Sequence, residues 1–394
     1  MHESNSKTLS AAQSLSFLGS PAFFRDYWKK KPLCLRQALP NFQSPISAEE
    51  LAGLACEQNV ESRMVLEHGQ VPWELINGPF SAKDFRKMPE THWSLLVQAV
   101  NHWVPEVHEL LKHFSFLPSH YLDDIMVSYA TEKGSVGPHF DYYDVFILQG
   151  TGQRHWQLGQ FCSPQTATRA ETPLAILQEF VLSEEYILEP GDILYIPQQQ
   201  AHWCVAKQAS LSYSIGFRTP ACSEVLNSLC SEWMSQLDES ERLTIQPLSF
   251  RDRPAQISRE MYQEVQSMLQ RLLQNQEQLV DWLGCYVTEP KYPELADKVS
   301  SKKYRYIDKL LIKHTFLRHN EGSRFAYFQE TPGREIKLFL DGQCYNIEAE
   351  LEGFIARLCD NQELACAEIL TYSHQEKVRH LLQMLLQAGA LYLV

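Results

Sequence analysis

Residues 136–156 read VGPHFDYYDVFILQGTGQRHW, and the way this stretch is punctuated decides the fold. Gly137-Pro138 opens it, Gly150-Thr151-Gly152 interrupts it, and two runs at 145–148 and 153–158 carry the aromatic and β-branched residues that favour strands. The glycine-flanked gap predicts a tight connection between two strands. In an extended chain alternate side chains share a face, so His139 and Asp141 project together while Phe140 faces the other way. By the same alternation Arg154, Trp156 and Leu158 form one face, and His155 turns away from it.

The pattern extends outward on both sides. Strands are expected at 125–129, 186–188, 193–196 and 211–217, and Glu189-Pro190-Gly191-Asp192 suits a type II turn with Pro and Gly at its centre. So many short strands within 124–218 predict a barrel or a sandwich. Farther upstream, Ser20-Pro21 reads as a helix N-cap with proline at the first helical position, and Ser47 with Glu50 as a capping box. Short strand-like runs lie at 64–66 and 73–76, and 104–114 has helical spacing. After Pro220 the pattern turns helical. Ile257, Met261, Val265, Met268, Leu272 and Leu279 predict one face of a long helix, which either packs on its own domain or builds a subunit interface. From Tyr304 onward strands are expected at 324–329, 335–340 and 343–347, with a turn at Asp341-Gly342, and helices at 353–359, 366–371 and 377–389. Helices beside a β-hairpin are compatible with a winged-helix module.

Charge narrows the partners. The 394 residues carry 35 Lys plus Arg against 48 Asp plus Glu, a net charge of −13, which disfavours a general binder of nucleic acid or anionic membrane. The excess sits at the front: 16 basic and 23 acidic groups in 1–220, 5 and 11 in 221–290, and 14 of each in 291–394. A neutral winged helix is expected to contact protein and not DNA. The ten cysteines contain no CxxC pair, residues 1–20 show no secretory signal, and no apolar run approaches a membrane span. A reduced, cytoplasmic protein is expected.

The densest chemical signal is His139-Phe140-Asp141 together with His202. Two imidazoles and one carboxylate on one face of a metal leave the opposite face open, the facial-triad pattern of non-haem Fe(II) oxygenases. A lone H-x-D is also what a hydrogen-bonded core histidine produces. Arg154 tips the reading: a buried guanidinium needs an anionic partner, and its planar fork matches a carboxylate. That partner is either an internal Asp or Glu or the distal carboxylate of 2-oxoglutarate. Other groupings fall away. His108 and His113 are five residues apart where HExxH needs four, His155 alternates away from Arg154 to an exposed or packed position, His120 has no partner in the local sequence, and Cys204 reads as a small buried core residue.

The stretch 136–156 resembles the core of the JmjC-type 2-oxoglutarate oxygenases, in particular the bacterial ribosomal oxygenases that hydroxylate an arginine of large-subunit ribosomal protein L-sixteen. LLVQAVNHW at 95–103, LEPGDILYIP at 188–197, YSIGFR at 213–218 and RDYWKKKPL at 25–33 are similar as well. The likeness covers most of 20–220, whereas 221–394 matches in layout more than in motif. It implies an α+β chain with a double-stranded β-helix (jelly-roll, cupin) core in 1–220, a helical dimerisation region in 221–290 and a winged-helix domain in 291–394. It implies Fe(II) held by His139, Asp141 and His202, 2-oxoglutarate held by Arg154 with Ser128 as a second contact, and substrate received near Tyr142 and Asp144. Ser212 stands where relatives are expected to have asparagine.

The activity expected is therefore hydroxylation of an arginine side-chain carbon in a basic ribosomal protein, by a homodimer, with O2 consumed and succinate and CO2 released. Two other readings compete: a non-catalytic cupin sensor with a winged-helix reader, and a zinc-dependent barrel hydrolase using the same triad.

Overall fold

The computed structural model describes residues 11–238, 240, 242–243, 255–293, 304 and 306–394. Residues 1–10, the first half of the segment read as lacking a leader, lie outside them. The chain divides into two compact units, Met1–Thr219 and Pro220–Val394. The division falls where the strand pattern gives way to the helical one.

Among the described residues eleven strands build the first unit: β1 (Leu33–Leu35), β2 (Ser62–His68), β3 (Pro72–Asn77), β4 (Trp93–Val97), β5 (Leu122–Ala130), β6 (Asp144–Thr151), β7 (Arg154–Phe161), β8 (Glu184–Leu188), β9 (Ile193–Ile196), β10 (Gln200–Ala206) and β11 (Ser210–Phe217). Eight form one antiparallel sheet in the order β1-β9-β6-β11-β5-β4-β2-β3, and three form a second in the order β10-β7-β8. The Gly150–Gly152 connection therefore carries the chain from one sheet to the other. Gly152 takes a left-handed φ of 64°, and a Cβ there would lie 2.4 Å from the Ala209 carbonyl oxygen. The expected turn at 189–192 is present, with Gly191 at φ 87° and the Asp192 N–H donating to the Glu189 carbonyl at 2.9 Å.

Helices cover the outer face of the large sheet. Ser20 caps the helix Pro21–Asp26 by accepting from the Phe23 N–H at 3.2 Å, and Ser47 and Glu50 complete a capping box on Ala48–Leu54. Between these helices and the sheet, Phe23, Phe114, Phe146, Tyr195, Tyr213 and Phe217 fill a core with rings tilted or edge to face. Burial of large apolar side chains here, each contributing about 1.5–3 kcal/mol, fixes the outer face and leaves the inner face free for chemistry. The 104–114 segment is a single α-turn, Pro105–His108, continuing as a 3-10 helix over Glu109–Phe114.

In the second unit the single long helix expected from Ile257 is two. Arg259–Gln274 and Gln276–Thr288 meet at Asn275, whose backbone leaves the helical region (ψ 83°) while its side chain caps the Gln278 N–H. Asparagine competes for backbone hydrogen bonds, so it favours a cap over a helix interior. β12 (Phe316–His319), β13 (Phe325–Phe328), β14 (Ile336–Leu340), β15 (Gln343–Ile347), β16 (Glu363–Ala365) and β17 (Leu391–Leu393) make two three-stranded sheets, β16-β12-β17 and β13-β14-β15. Helices Glu352–Asp360, Cys366–Tyr372 and Glu376–Gln387 follow the predicted segments closely. Helix Gln276–Thr288 sits tightly on the second sheet, where a Cβ on Gly284 would collide with the Phe339 ring at 2.2 Å. Among the described residues no helix is long and apolar enough to cross a membrane.

Candidate metal and cosubstrate site

The site lies between the two sheets. The segment before the triad runs alongside β10 and exchanges backbone hydrogen bonds with it: the His139 N–H donates to the His202 carbonyl at 3.0 Å and the His202 N–H to that of His139 at 2.8 Å. Two residues exchanging both bonds place their side chains on one face. The 62 residues between the histidines in sequence are thus closed by one rung of ladder, with ring centroids 4.3 Å apart. The Gln199 N–H, donating to the Asp141 carbonyl at 2.6 Å, extends the pairing to the third member. Ligand atoms of His139, Asp141 and His202 all lie within 4.8 Å of one another, and His202 Nε2 is 3.6 Å from Asp141 Oδ2.

Tautomers follow from the surroundings. His139 Nδ1 lies 2.9 Å from the Gly137 carbonyl and His202 Nδ1 3.0 Å from the Gln200 carbonyl. A carbonyl only accepts, so each Nδ1 donates a proton and Nε2 is left as the ligand atom, the arrangement that orients metal-binding histidines. Burial, reinforced by the neighbouring His139, pushes the His202 pKa down to about 4, so this ring is neutral at pH 7. Two imidazoles and a carboxylate are a donor set for a divalent transition metal with open positions, which Fe(II) fits.

Arg154 supplies the second half. On β7 it opposes Ala206 on β10, four residues beyond His202, a span of roughly 13 Å along the strand. Its guanidinium crosses to the large sheet. Nε donates to Ser210 Oγ at 3.0 Å, one terminal nitrogen to Ser128 Oγ at 2.8 Å, and the other to the carbonyls of Ser128 and Ser210 at 2.8 and 3.0 Å. All these acceptors are neutral. Arg154 is 5% exposed and has no carboxylate partner among the described residues, so of the two partners open at the sequence level the internal acid is absent. Desolvation lowers its pKa, with only the Cys204 thiol opposing. A cavity of about 320 Å³ connects this cation to the triad. The indole N–H of Trp156, which lines the cavity, and Ser212 Oγ nearby on β11 are buried without hydrogen-bond partners. A buried cation and unsatisfied polar groups beside an open space fit a dicarboxylate spanning from the metal to Arg154.

The remaining sequence-level residues divide. Ser128 is buried and bonded to Arg154, and Tyr142 is exposed, its ring edge-on to cavity-lining Phe140. Asp144 requires correction. It begins β6, where it and Phe146 face the outer core while Val145 and Ile147 line the cavity. Its carboxylate is 2% exposed and accepts from Tyr195 Oη at 2.6 Å, on the side away from the triad. The resemblance placed it near the substrate, whereas alternation from Asp141 already puts it on the opposite face, with Tyr143, Val145 and Ile147 on the triad's side. Cys204 is buried opposite Trp156, and burial raises its thiol to about 11, so it is a neutral neighbour of Arg154.

Sequence reasoning missed Tyr143, Asp123 and Asp124, all on the cavity wall. Asp141 and burial push the Tyr143 phenol far up, keeping it protonated. Asp124 is 3% exposed and accepts both bonds from the Gln98 amide, at 3.0 and 2.9 Å. Its signal was available, since Asp124, Met126 and Ser128 alternate on one face of β5.

Fold and donor set together define a facial-triad oxygenase built on a jelly roll. A family model described as JmjC domain matches residues 109–225, and one described as ROXA-like winged helix matches 271–392. The ribosomal protein uL16 3-hydroxylase of Escherichia coli (strain K12) is 37% identical over 280 residues, covering 70% of this chain and 73% of that protein. A probable ribosomal oxygenase of Haemophilus influenzae is 41% identical over 217 residues, 54% of this chain and 53% of that protein. Among solved structures, the X-ray structure of E. coli YcfD superimposes with a TM-score of 0.82 at 30% identity, covering 95% of this chain and 98% of that one. YcfD, a ribosomal oxygenase, in complex with cobalt and 2-oxoglutarate gives a TM-score of 0.79 at 29% identity, with 95% and 97% covered. The chain belongs to the JmjC-type ribosomal oxygenases, enzymes dependent on Fe(II) and 2-oxoglutarate.

Proposed function

We propose that this enzyme hydroxylates an arginine side-chain carbon of the large-subunit ribosomal protein uL16, with His139, Asp141 and His202 holding Fe(II) and Arg154 and Ser128 holding 2-oxoglutarate. When bound, Fe(II), 2-oxoglutarate and O2 supply the oxidising power to place a hydroxyl on an unactivated carbon, releasing succinate and CO2. The chain's own part is placement. The paired backbone of His139 and His202 fixes two lone pairs, and the guanidinium of Arg154 fixes the far carboxylate of the cosubstrate. The cavity wall, including Asp123, Asp124 and the protonated Tyr143 hydroxyl, offers acceptors to a guanidinium-bearing side chain. Proximity of the target carbon to the metal then decides which C–H bond reacts. Tyr142, exposed beside cavity-lining Phe140, would contact the substrate.

The observation that carries the reading is Arg154, a buried cation with neutral partners only, at the end of the triad's own cavity. The acidic front of the chain suits a basic ribosomal protein. The helix Arg259–Gln274 has no buried residue, and its exposed Met261, Tyr262, Leu269 and Leu273 support assembly of a homodimer through the 221–290 region, with 291–394 as the winged-helix domain. The cytoplasm, where ribosomal proteins are made, is the compartment this function needs. Turnover of 2-oxoglutarate with a uL16 peptide, read by mass spectrometry, tests the assignment. A one-oxygen adduct on arginine is expected, and its absence with iron confirmed bound overturns the substrate.

A further inference from the structure

A second group of metal-binding side chains lies at the rim of the same sheet. β2 and β4 are antiparallel neighbours, with Arg63 opposite Leu96 and Val65 opposite Ser94, and all four of these residues line the central cavity. The next pair on that face is Glu67 and His92, joined by the Glu67 N–H donating to the His92 carbonyl at 3.1 Å. His92 precedes β4 and has a left-handed backbone, φ 65°, held by that bond and by its own N–H donating to the Glu132 carbonyl at 3.0 Å. A non-glycine residue persists in this region only when its surroundings over-determine it. His68, the exposed last residue of β2, brings its ring to 4.9 Å from that of His92.

Donor atoms of Glu67, His68 and His92 all lie within 4.8 Å of one another. Nothing in the described residues occupies them otherwise. The Glu67 carboxylate and the His68 ring nitrogens have no hydrogen-bond or ion-pair partner there, and His92 uses only Nδ1, 2.8 Å from Thr91 Oγ1. A hydroxyl on one ring nitrogen orients the imidazole and leaves Nε2 for a ligand.

We infer that Glu67, His68 and His92 form a second metal site, distinct from the oxygenase centre, that binds a zinc-class divalent ion. Two imidazoles and one carboxylate select Zn²⁺ over Ca²⁺ or Mg²⁺, which prefer all-oxygen shells, and solvent fills the fourth position. Tetrahedral bonds of about 2.0–2.1 Å place donors roughly 3.4 Å apart, a closure that the exposed His68 side chain reaches by rotation. The ion would tie the β2–β3 hairpin to the entry of β4 and so brace the cavity wall formed by Val65 and Ser94.

The test uses the tag-free, full-length chain carrying His139→Ala and His202→Ala, so that the oxygenase centre no longer competes. Calorimetric titration of the metal-stripped protein with Zn²⁺ should show one ion per chain, lost on adding His68→Ala or, separately, Glu67→Gln. Amide exchange in 66–74 and 90–94 should slow on zinc addition and stay unchanged in those further variants, which leave the buried core untouched. No zinc uptake by the triad-deficient chain overturns the site. So does uptake that survives both further substitutions.

Discussion

The two faces of the large sheet bury polar groups in opposite ways. On the outer face Asp144 is enclosed with its acceptor needs met, because Tyr195 donates to it and the same Tyr195 oxygen accepts from the Lys29 N–H at 2.7 Å. Tyr213 likewise meets Ser44 Oγ at 2.6 Å. Against the inner face Arg154, reaching across from β7 of the smaller sheet, has neutral acceptors only, and Ser212 Oγ on β11 and Trp156 Nε1 on β7 have no partner. Each unsatisfied buried group costs roughly 1–3 kcal/mol. A core closes its hydrogen bonds within the chain; a binding site leaves them for the ligand to close.

Substitutions on the two faces should therefore part company in what they change. The largest effect is expected from His139→Ala, which removes a metal ligand: hydroxylation of a uL16 peptide should fall to background in a protein that still melts cooperatively. On the outer face Phe146→Ala empties a site among six other aromatic rings and should destabilise by about 3–5 kcal/mol in urea unfolding. The fraction still folded should keep its KM for 2-oxoglutarate. Tyr195→Phe deletes one hydroxyl and should cost about 1–3 kcal/mol at pH 7. The sign of its pH dependence follows from Asp144. Burial raises that carboxyl above its ordinary pKa and the Tyr195 hydroxyl opposes the rise. Without the hydroxyl, ionised Asp144 is penalised further in the folded state, so the loss should be largest at neutral pH and shrink as pH falls through the carboxylate range. The smallest effect belongs to Ser212→Ala. With no internal bond to lose, stability should change by less than about 0.5 kcal/mol, while a modest rise in the KM for 2-oxoglutarate, up to about tenfold, would show its hydroxyl engaging the cosubstrate.

Much of this site was legible in the sequence, and the reason is periodicity. The two-residue repeat of an extended chain placed His139 with Asp141, and that of β7 placed Arg154 with Trp156, as the structure has them. The same repeat puts Asp144, three residues past Asp141, on the opposite face, where it lies; it was the resemblance and not the spacing that set it beside the substrate. The helix read through Asn275 failed for a different reason: apolar spacing continues across the cap, and only the backbone shows the interruption. What no local pattern carries is the cross-sheet reach of Arg154 to Ser128 and Ser210, or the meeting of Asp123, Asp124 and Tyr143 on one wall. Those depend on how two sheets face each other, a property of topology and not of spacing.

The central claim is that Arg154 waits for the cosubstrate and not for the metal. Measuring Fe(II) and 2-oxoglutarate affinities separately for Arg154→Ala tests it most directly. Truncating one member of a buried charge pair costs about 2–5 kcal/mol, so 2-oxoglutarate binding should weaken by roughly thirtyfold or more while Fe(II) affinity stays at the wild-type value. Equal loss of both affinities, or no loss of either, would contradict the account.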